Sequence, residues 1–434
     1  MKVLHYTLGF QPERSGGLVK YATDLMEEQR RQGYEIIALF PGKINILTKK
    51  TSIKKINSEM LNKYQIVNSL PLAIFGGIKT TEDFMKKISS EVYLDFLKDT
   101  KPDIIHVHTL MGIHKEFFQA ANELTIPLVY TSHDYFGLAP EPNFFTEGNS
   151  YDDDNTVDNW IIASQDAMST KKMRLFQVKF YPLIRKIGNK LKKKNLNFKR
   201  YKNAEYSNLD KVNDVDKKRY LKLKIYYREI FSEINGIHFN SNLSKKVFSN
   251  NIKLNQHTKV IPISNSNIGE LKVENKVKRY KLNLAYIGPD KDYKGFFDFV
   301  ELSKKSLLKN YEFHTYGYTP SKVINNIKQH GRYNNIDLPD IYKNIDILII
   351  PSKWKETFGL VVLEALENKT PVLVSANVGA KDLIPNEYVF SDNIDLIEII
   401  IGGLVNRDAF NFKVINMKNH ASEILTFYNE VGEN

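Results

Sequence analysis

The sequence contains no cysteine. Disulfides, thiolate metal sites and a cysteine nucleophile are thereby excluded, and a reducing compartment fits. Long apolar runs are also missing, because nothing approaches the roughly 18–20 consecutive apolar residues that would span a bilayer. Met1 to Leu8 passes quickly into charged, glycine-rich sequence at Glu13 to Gly17. That segment has neither the apolar stretch nor the small-residue cleavage site of a signal peptide, so a cytoplasmic protein is expected. The third absence is local. From Ala167 to Ala204 there is no aspartate or glutamate, in a chain of 434 residues with a net charge of +12. Lysines and arginines crowd this stretch, among them Lys190, Lys192, Lys193 and Lys194, interleaved with Phe176, Phe180, Tyr181 and Ile184. A basic, aromatic, partly amphipathic segment of this kind suits an anionic membrane surface. A solvated helical insertion on a lysine-rich protein is the plainer alternative. No nucleic-acid-binding signature accompanies the charge, and a nucleic-acid partner is not expected.

What is present is ordinary globular composition, 42% hydrophobic and 26% charged, over a length that favours two or three domains. Short apolar β-type runs alternate with helical patterns. Lys2 to Leu8, Glu35 to Phe40, Ile104 to His108 and Leu128 to Ser132 read as buried parallel strands, with Ile237 to Ser241 and Val260 to Ile263 ending the series. Leu18 to Gln32 has helical spacing and Gly33 is its stop signal. A second series starts near residue 280, with strands at Leu282 to Ile287, Glu312 to Tyr316, Ile345 to Ile350, Pro371 to Ser375 and Tyr388 to Phe390. Its helices are expected at Phe296 to Leu307, Leu360 to Asn368 and Asp395 to Leu404. The fold class is α/β, with two Rossmann-like, doubly wound parallel sheets. The expected boundaries are 1–268, carrying a basic insertion at about 166–233, then 279–410, then a helical segment 411–434 crossing back to the first domain. Gly269 to Lys278 is the linker candidate.

The segment Pro351 to Ser375 carries the most chemistry. It follows a strand directly, and in α/β folds ligands bind at the carboxyl ends of strands. A helix beginning near Thr357 to Gly359 would leave the first amides, at about Phe358 to Leu360, open to phosphate or sugar oxygens. Glu356 stands just outside that helix and Glu364 about two turns inside it, so the pair could grip hydroxyls at two ends of an elongated ligand. Ser15-Gly16-Gly17 lies between the first strand and first helix, where glycine lets the backbone approach a diphosphate closely. His133 falls just past a strand end. His106 and His108 alternate along another strand and are expected to face opposite ways, His108 towards the site and His106 structural. Asp152-Asp153-Asp154 satisfies D-x-D, but sits in a polar stretch with no strand leading into it and reads as a solvated loop. No residue cluster has metal-ligand spacing, and no metal is expected.

With Glu356 and Glu364 as an E-x7-E pair inside Pro-Ser…Glu-Thr-Phe-Gly-Leu…Leu-Glu-Ala…Pro-Val, the sequence resembles the GT4-type retaining glycosyltransferases of the GT-B fold (glycosyltransferase group 1). Gly288, Lys294 and Gly295 resemble that family's phosphate segment, although Pro289 occupies the usual arginine position. The resemblance implies two domains facing across a cleft, the N-terminal one binding the acceptor and the C-terminal one most of the nucleotide. It implies a hexosyl donor that is a nucleoside diphosphate sugar and a metal-independent reaction at Glu356, His133 and Lys294. Donor contacts are expected from Gly16, Gly17, Gly288, Lys294, Glu356, Thr357, Phe358, Gly359, Leu360 and Glu364, with Glu356 on the sugar and Glu364 on the ribose. Lys291 would assist Lys294, and Gly379 would shape a loop. The acceptor is expected to be a glycan or polyprenyl-linked glycan on the inner face of the membrane, in cell-surface polysaccharide or glycoconjugate synthesis. A non-catalytic GT-B partner subunit is the alternative that Pro289 raises.

Overall fold

The computed structural model describes all residues except 46–47, 49, 59–60, 74–75, 176–212, 270–279, 404, 406–409, 411–413 and 434. The basic stretch therefore lies largely outside the described residues, as does most of the proposed linker. The first sheet contains β1 (Lys2–Tyr6), β2 (Glu35–Pro41), β3 (Ser52–Ile56), β4 (Asn62–Val67), β5 (Ile104–Val107), β6 (Leu128–Thr131), β9 (Gly236–Phe239) and β10 (His257–Val260). Between β6 and β9, β7 (Phe145–Thr146) and β8 (Asn149–Ser150) form a small antiparallel hairpin. The strand order is β10-β9-β6-β5-β1-β2-β4-β3, parallel throughout except for β3 against β4. The second sheet contains β11 (Asn283–Ile287), β12 (Glu312–Tyr316), β13 (Ile327–Gln329), β14 (Ile347–Ile350), β15 (Val372–Ser375) and β16 (Val389–Phe390), in the all-parallel order β13-β12-β11-β14-β15-β16.

The central strands are short apolar runs buried on both faces, as β5, β6 and β14 are along their whole length. That is what a parallel sheet covered by helices on each side requires. The helix Gly17–Arg31 turns Val19, Tyr21, Ala22, Leu25 and Met26 inward, and Gly33 leaves it at a positive φ of 89°. The last helix, Met417–Gly432, is capped by the Asn416 side chain, which accepts from the Asn419 amide at 2.9 Å. It packs on Gly17–Arg31, so the C-terminal segment lies against the first sheet's layer. Its Tyr428, Ile424 and Phe427 are buried there.

Five strands escape the periodic reading, β7 and β8 because they are only two residues long. β3 is a half-exposed, lysine-rich edge strand, β4 between β2 and β3 is half-exposed over its first four residues, and β13 is only three residues long, so none presents the apolar run used to find the others. β10 is displaced toward the N-terminus from Val260–Ile263, because its register with β9 pairs His257 to Val260 with Gly236 to Phe239.

Candidate active site

Each sheet reverses its winding direction beside its first strand: β1 lies between β2 and β5, and β11 between β12 and β14. Such switch points open a crevice at the carboxyl ends of the strands. In the first sheet, that crevice collects the glycines after β1 and the histidines after β5 and β6. In the second it collects Gly288 to Gly295 after β11 and Pro351 to Gly359 after β14. The two crevices face each other. The Thr357 hydroxyl donates to the His133 carbonyl at 2.9 Å, the Ser241 hydroxyl donates to the Thr357 carbonyl at 2.6 Å, and a Cβ on Gly17 would sit 3.5 Å from Leu360 Cδ1.

Lys294 and Glu356 form the centre of the second crevice. Lys294 Nζ lies 2.5 Å from Glu356 Oε1, and the Ser352 hydroxyl donates to Oε2 at 3.0 Å. Lys294 Nζ also stands 5.1 Å from the centroid of the Trp354 ring, within cation–π range. Gly295 makes this placement possible. It adopts φ 73°, and a Cβ there would collide with the Pro351 carbonyl. The β11 and β14 loops can therefore touch only if this residue is glycine. Gly288 lies at the end of β11, its amide bonded to the Tyr316 carbonyl at 3.0 Å. Pro289 follows, its carbonyl accepting from the Tyr286 hydroxyl at 2.7 Å.

The helix after Glu356 begins at Leu360, with Gly359 as its cap at φ 101°. This agrees with the helix expected at Leu360 to Asn368 and is later than the start near Thr357 to Gly359, because Phe358 turns into the core and its carbonyl is taken by the Ala380 amide. Glu364 consequently lies one turn into the helix rather than two. It accepts from the Tyr342 hydroxyl at 3.5 Å. Burial pushes its carboxyl up to about 7, an effect that Lys20 on the first helix opposes. A glutamate with a raised pKa is held best in its protonated form, so its contribution to stability is lost as pH rises through about 7. Gly379 packs against Thr357 and Ser241, and its amide bonds the Glu356 carbonyl at 2.9 Å, which fixes the loop that carries Glu356.

Residues 15–151 match the description "Glycosyltransferase Family 4" and residues 270–396 match "Glycosyl transferases group 1". The chain belongs to the GT4-type glycosyltransferase family. An uncharacterized 42.6 kDa protein in the cps region of Klebsiella pneumoniae is 24% identical over 355 residues, covering 79% of this chain and 75% of that protein. Two solved structures share the fold. A glycosyltransferase from Rickettsia africae aligns with a TM-score of 0.57 at 12% identity, covering 100% of this chain and 99% of that one. The Anabaena protein HepE, in complex with UDP and glucose, aligns with a TM-score of 0.51 at 12% identity, covering 100% and 98%. The two facing doubly wound sheets are thus the GT-B architecture.

Two features of this glycosyltransferase correct the sequence reading. Asp152 is not solvated. It is buried, at 3% exposure, and with Asp153 it holds Lys355 Nζ at 2.6 and 2.7 Å. The hairpin β7–β8 leads into it and lays the aspartates against the Glu356 loop. His106 and His108 do not face opposite ways either. β5 ends at Val107, so alternation no longer governs His108, and the two rings lie 4.1 Å apart in one cluster. Sequence reasoning also missed Trp354, Lys355, Ser241 and Lys20. The only signal was charge: lysines at 353 and 355 in one half, aspartates at 152 to 154 in the other.

Proposed function

We propose that this glycosyltransferase transfers a hexosyl group from a nucleoside diphosphate sugar to an acceptor hydroxyl, with retention of anomeric configuration and without a metal ion. The observation carrying the proposal is the Lys294–Glu356 pair at the second switch point, facing Gly17 and His133. Departure of the nucleoside diphosphate breaks the bond from the anomeric carbon to the phosphate oxygen, and negative charge grows on that phosphate. Lys294, with the amides after Gly16 and Gly359, supplies fixed positive potential where that charge develops. The acceptor oxygen forms the new bond on the face that the phosphate leaves, and its proton passes to the departing phosphate. Glu356 and His133 hold sugar hydroxyls; Gly288, Thr357, Phe358 and Leu360 line the donor. The Anabaena structure with UDP and glucose supports a donor of this class, and the cps-region relative supports a role in cell-surface polysaccharide or glycoconjugate synthesis.

Glu364 is assigned to the ribose hydroxyls. Its ionised fraction rises from roughly a tenth at pH 6 to roughly nine tenths at pH 8 if it titrates at about 7. The carboxylate is the stronger acceptor. Nucleotide affinity measured by calorimetry is therefore expected to rise severalfold over this interval, and Glu364→Gln to flatten the profile.

Among the described residues no helix is long and apolar enough to cross a membrane. The basic stretch at about 167–204 is assigned to an anionic inner membrane surface carrying a polyprenyl-linked acceptor. Equal binding to neutral and acidic vesicles would remove that assignment.

A mass-spectrometric screen of nucleotide sugars, with Glu356→Ala and Lys294→Ala as controls, tests the activity. Loss of transfer in both variants is expected, and full transfer in both would discard the site. The second reading, a non-catalytic partner subunit, is favoured by Pro289 where the family has arginine. It predicts no hydrolysis or transfer with any donor, alone or with lipid acceptors.

A further inference from the structure

Behind His133 lies a buried cluster of imidazoles whose hydrogen bonds run in one continuous chain. His133 Nε2 lies 3.2 Å from His108 Nδ1, and His108 Nε2 lies 3.0 Å from His5 Nδ1. His5 Nε2 is 2.8 Å from Gln29 Oε1, and Gln29 Nε2 is 3.3 Å from the Tyr428 hydroxyl. Tyr428 continues to His106 Nδ1 at 2.6 Å, and His106 Nε2 to the Thr131 hydroxyl at 2.6 Å. Thr131 reaches His238 Nδ1 at 2.9 Å, and His238 Nε2 ends on the Ile261 carbonyl at 2.7 Å. The chain threads β1, β5, β6, β9, the first helix and the last.

The far end sets the direction. A carbonyl oxygen only accepts, so His238 carries its proton on Nε2 and its Nδ1 accepts from Thr131. The single hydroxyl proton of Thr131 is then used, so Thr131 accepts from His106 Nε2–H. His106 Nδ1 in turn takes the Tyr428 proton. Tyr428 can then only accept from the Gln29 amide, which leaves the Gln29 carbonyl oxygen to accept from His5 Nε2–H. His5 Nδ1 accepts from His108 Nε2–H, and His108 Nδ1 accepts from His133 Nε2–H. Each step needs a neutral ring. Burial supplies this by lowering His5 and His238 to about 4, His133 to about 3, and His106 and His108 well below the usual value.

His5, His106 and His108 place ring nitrogens within 4.8 Å of one another, a spacing that a metal could use. All six of their nitrogens have hydrogen-bond partners within the chain.

We infer that this chain fixes His133 as the Nε2–H tautomer, so that Nδ1 of this half-buried ring meets the donor sugar as a hydrogen-bond acceptor. Nδ1 makes no hydrogen bond among the described residues. His133 therefore binds a sugar hydroxyl by receiving its proton, and the remote Tyr428, Gln29, Thr131 and His238 are positioning residues for that contact. The second half of this inference rests on the proposed donor site; the tautomer does not.

Two-bond proton–nitrogen correlation spectra of the histidine-labelled full chain would read the tautomers directly, with His133 assigned by its loss in His133→Gln. Nε2–H is expected at all five histidines of the chain. Nδ1–H at His133 overturns the inference whether or not any sugar is transferred. Tyr428→Phe removes the link between the two halves, and both tautomers are then expected among His5, His108 and His133. Unchanged Nε2–H at all three would mean that the chain does not set the tautomer. If that variant fails to fold, the wild-type spectrum still decides. The contact is tested with deoxy and deoxyfluoro forms of the donor found in the screen. Fluorine accepts but cannot donate, so at one sugar position both replacements are expected to weaken binding by a similar factor of about ten. That loss should disappear in His133→Ala. Normal binding of the fluoro donor where the deoxy donor fails would show that His133 donates, which also overturns the inference.

Discussion

Glu356→Gln is expected to lower glycosyl transfer by about 10²- to 10³-fold, the range found when one preorganised polar contact to a transition state is removed. The side chain is preserved in shape, and its hydrogen bond with Ser352 can persist. What is lost is the charge that holds Lys294 at 2.5 Å. Lys294 then loses its set position relative to the phosphate, and the sugar loses its strongest acceptor. Because one contact serves both roles, Lys294→Met combined with Glu356→Gln should lose much less than the product of the two single losses. Steady-state kinetics of the three variants would check this, with circular dichroism to confirm the fold. Multiplying, independent losses would mean that the pair does not act as a unit.

Trp354→Ala is expected to cost about 3–5 kcal/mol of unfolding free energy, as for other buried tryptophans. Trp354 belongs by sequence to the second half, yet its ring packs with the first domain's core. It lies 6.1 Å from the Tyr135 ring on one side and 6.1 Å from Tyr293 on the other, at 7% exposure. It thus pins the loop carrying Glu356 between the two domains. Trp354→Phe should recover most of the loss, since the indole N–H has no partner among the described residues and gives up nothing when removed. Urea unfolding of both variants measures the difference. A loss below about 1 kcal/mol for the alanine variant would show that the ring does not bridge the halves.

The central strands and the helices at Gly17 and Leu360 could be read in advance because parallel strands and amphipathic helices write their burial into local periodicity. Glu356 and Glu364 were also legible, since a strand end followed by glycine and a helix marks where an α/β fold binds ligands, whereas Lys294 and Gly295 were marked only by the resemblance to the family's phosphate segment. β3 and β13 were not legible, because edge strands exposed on one side need little apolar sequence, and β4 beside β3 is itself half-exposed over most of its length. Of the two starts that the sequence offered, Leu360 prevailed over Thr357 to Gly359 because the burial of Phe358 outweighed the local helix signal.

The sequence by itself determined two doubly wound sheets, the residues at their strand ends, and the absence of thiol chemistry. Only the tertiary structure decided that Asp152 grips Lys355, that Trp354 enters the opposite core, and that five histidines join in a single directed chain. Those pairs are separated by some 200 residues (Asp152–Lys355) and by 322 residues (His106–Tyr428). No local pattern encodes such contacts, because each partner's burial and direction come from elements that meet only when the two sheets and the last helix are packed together.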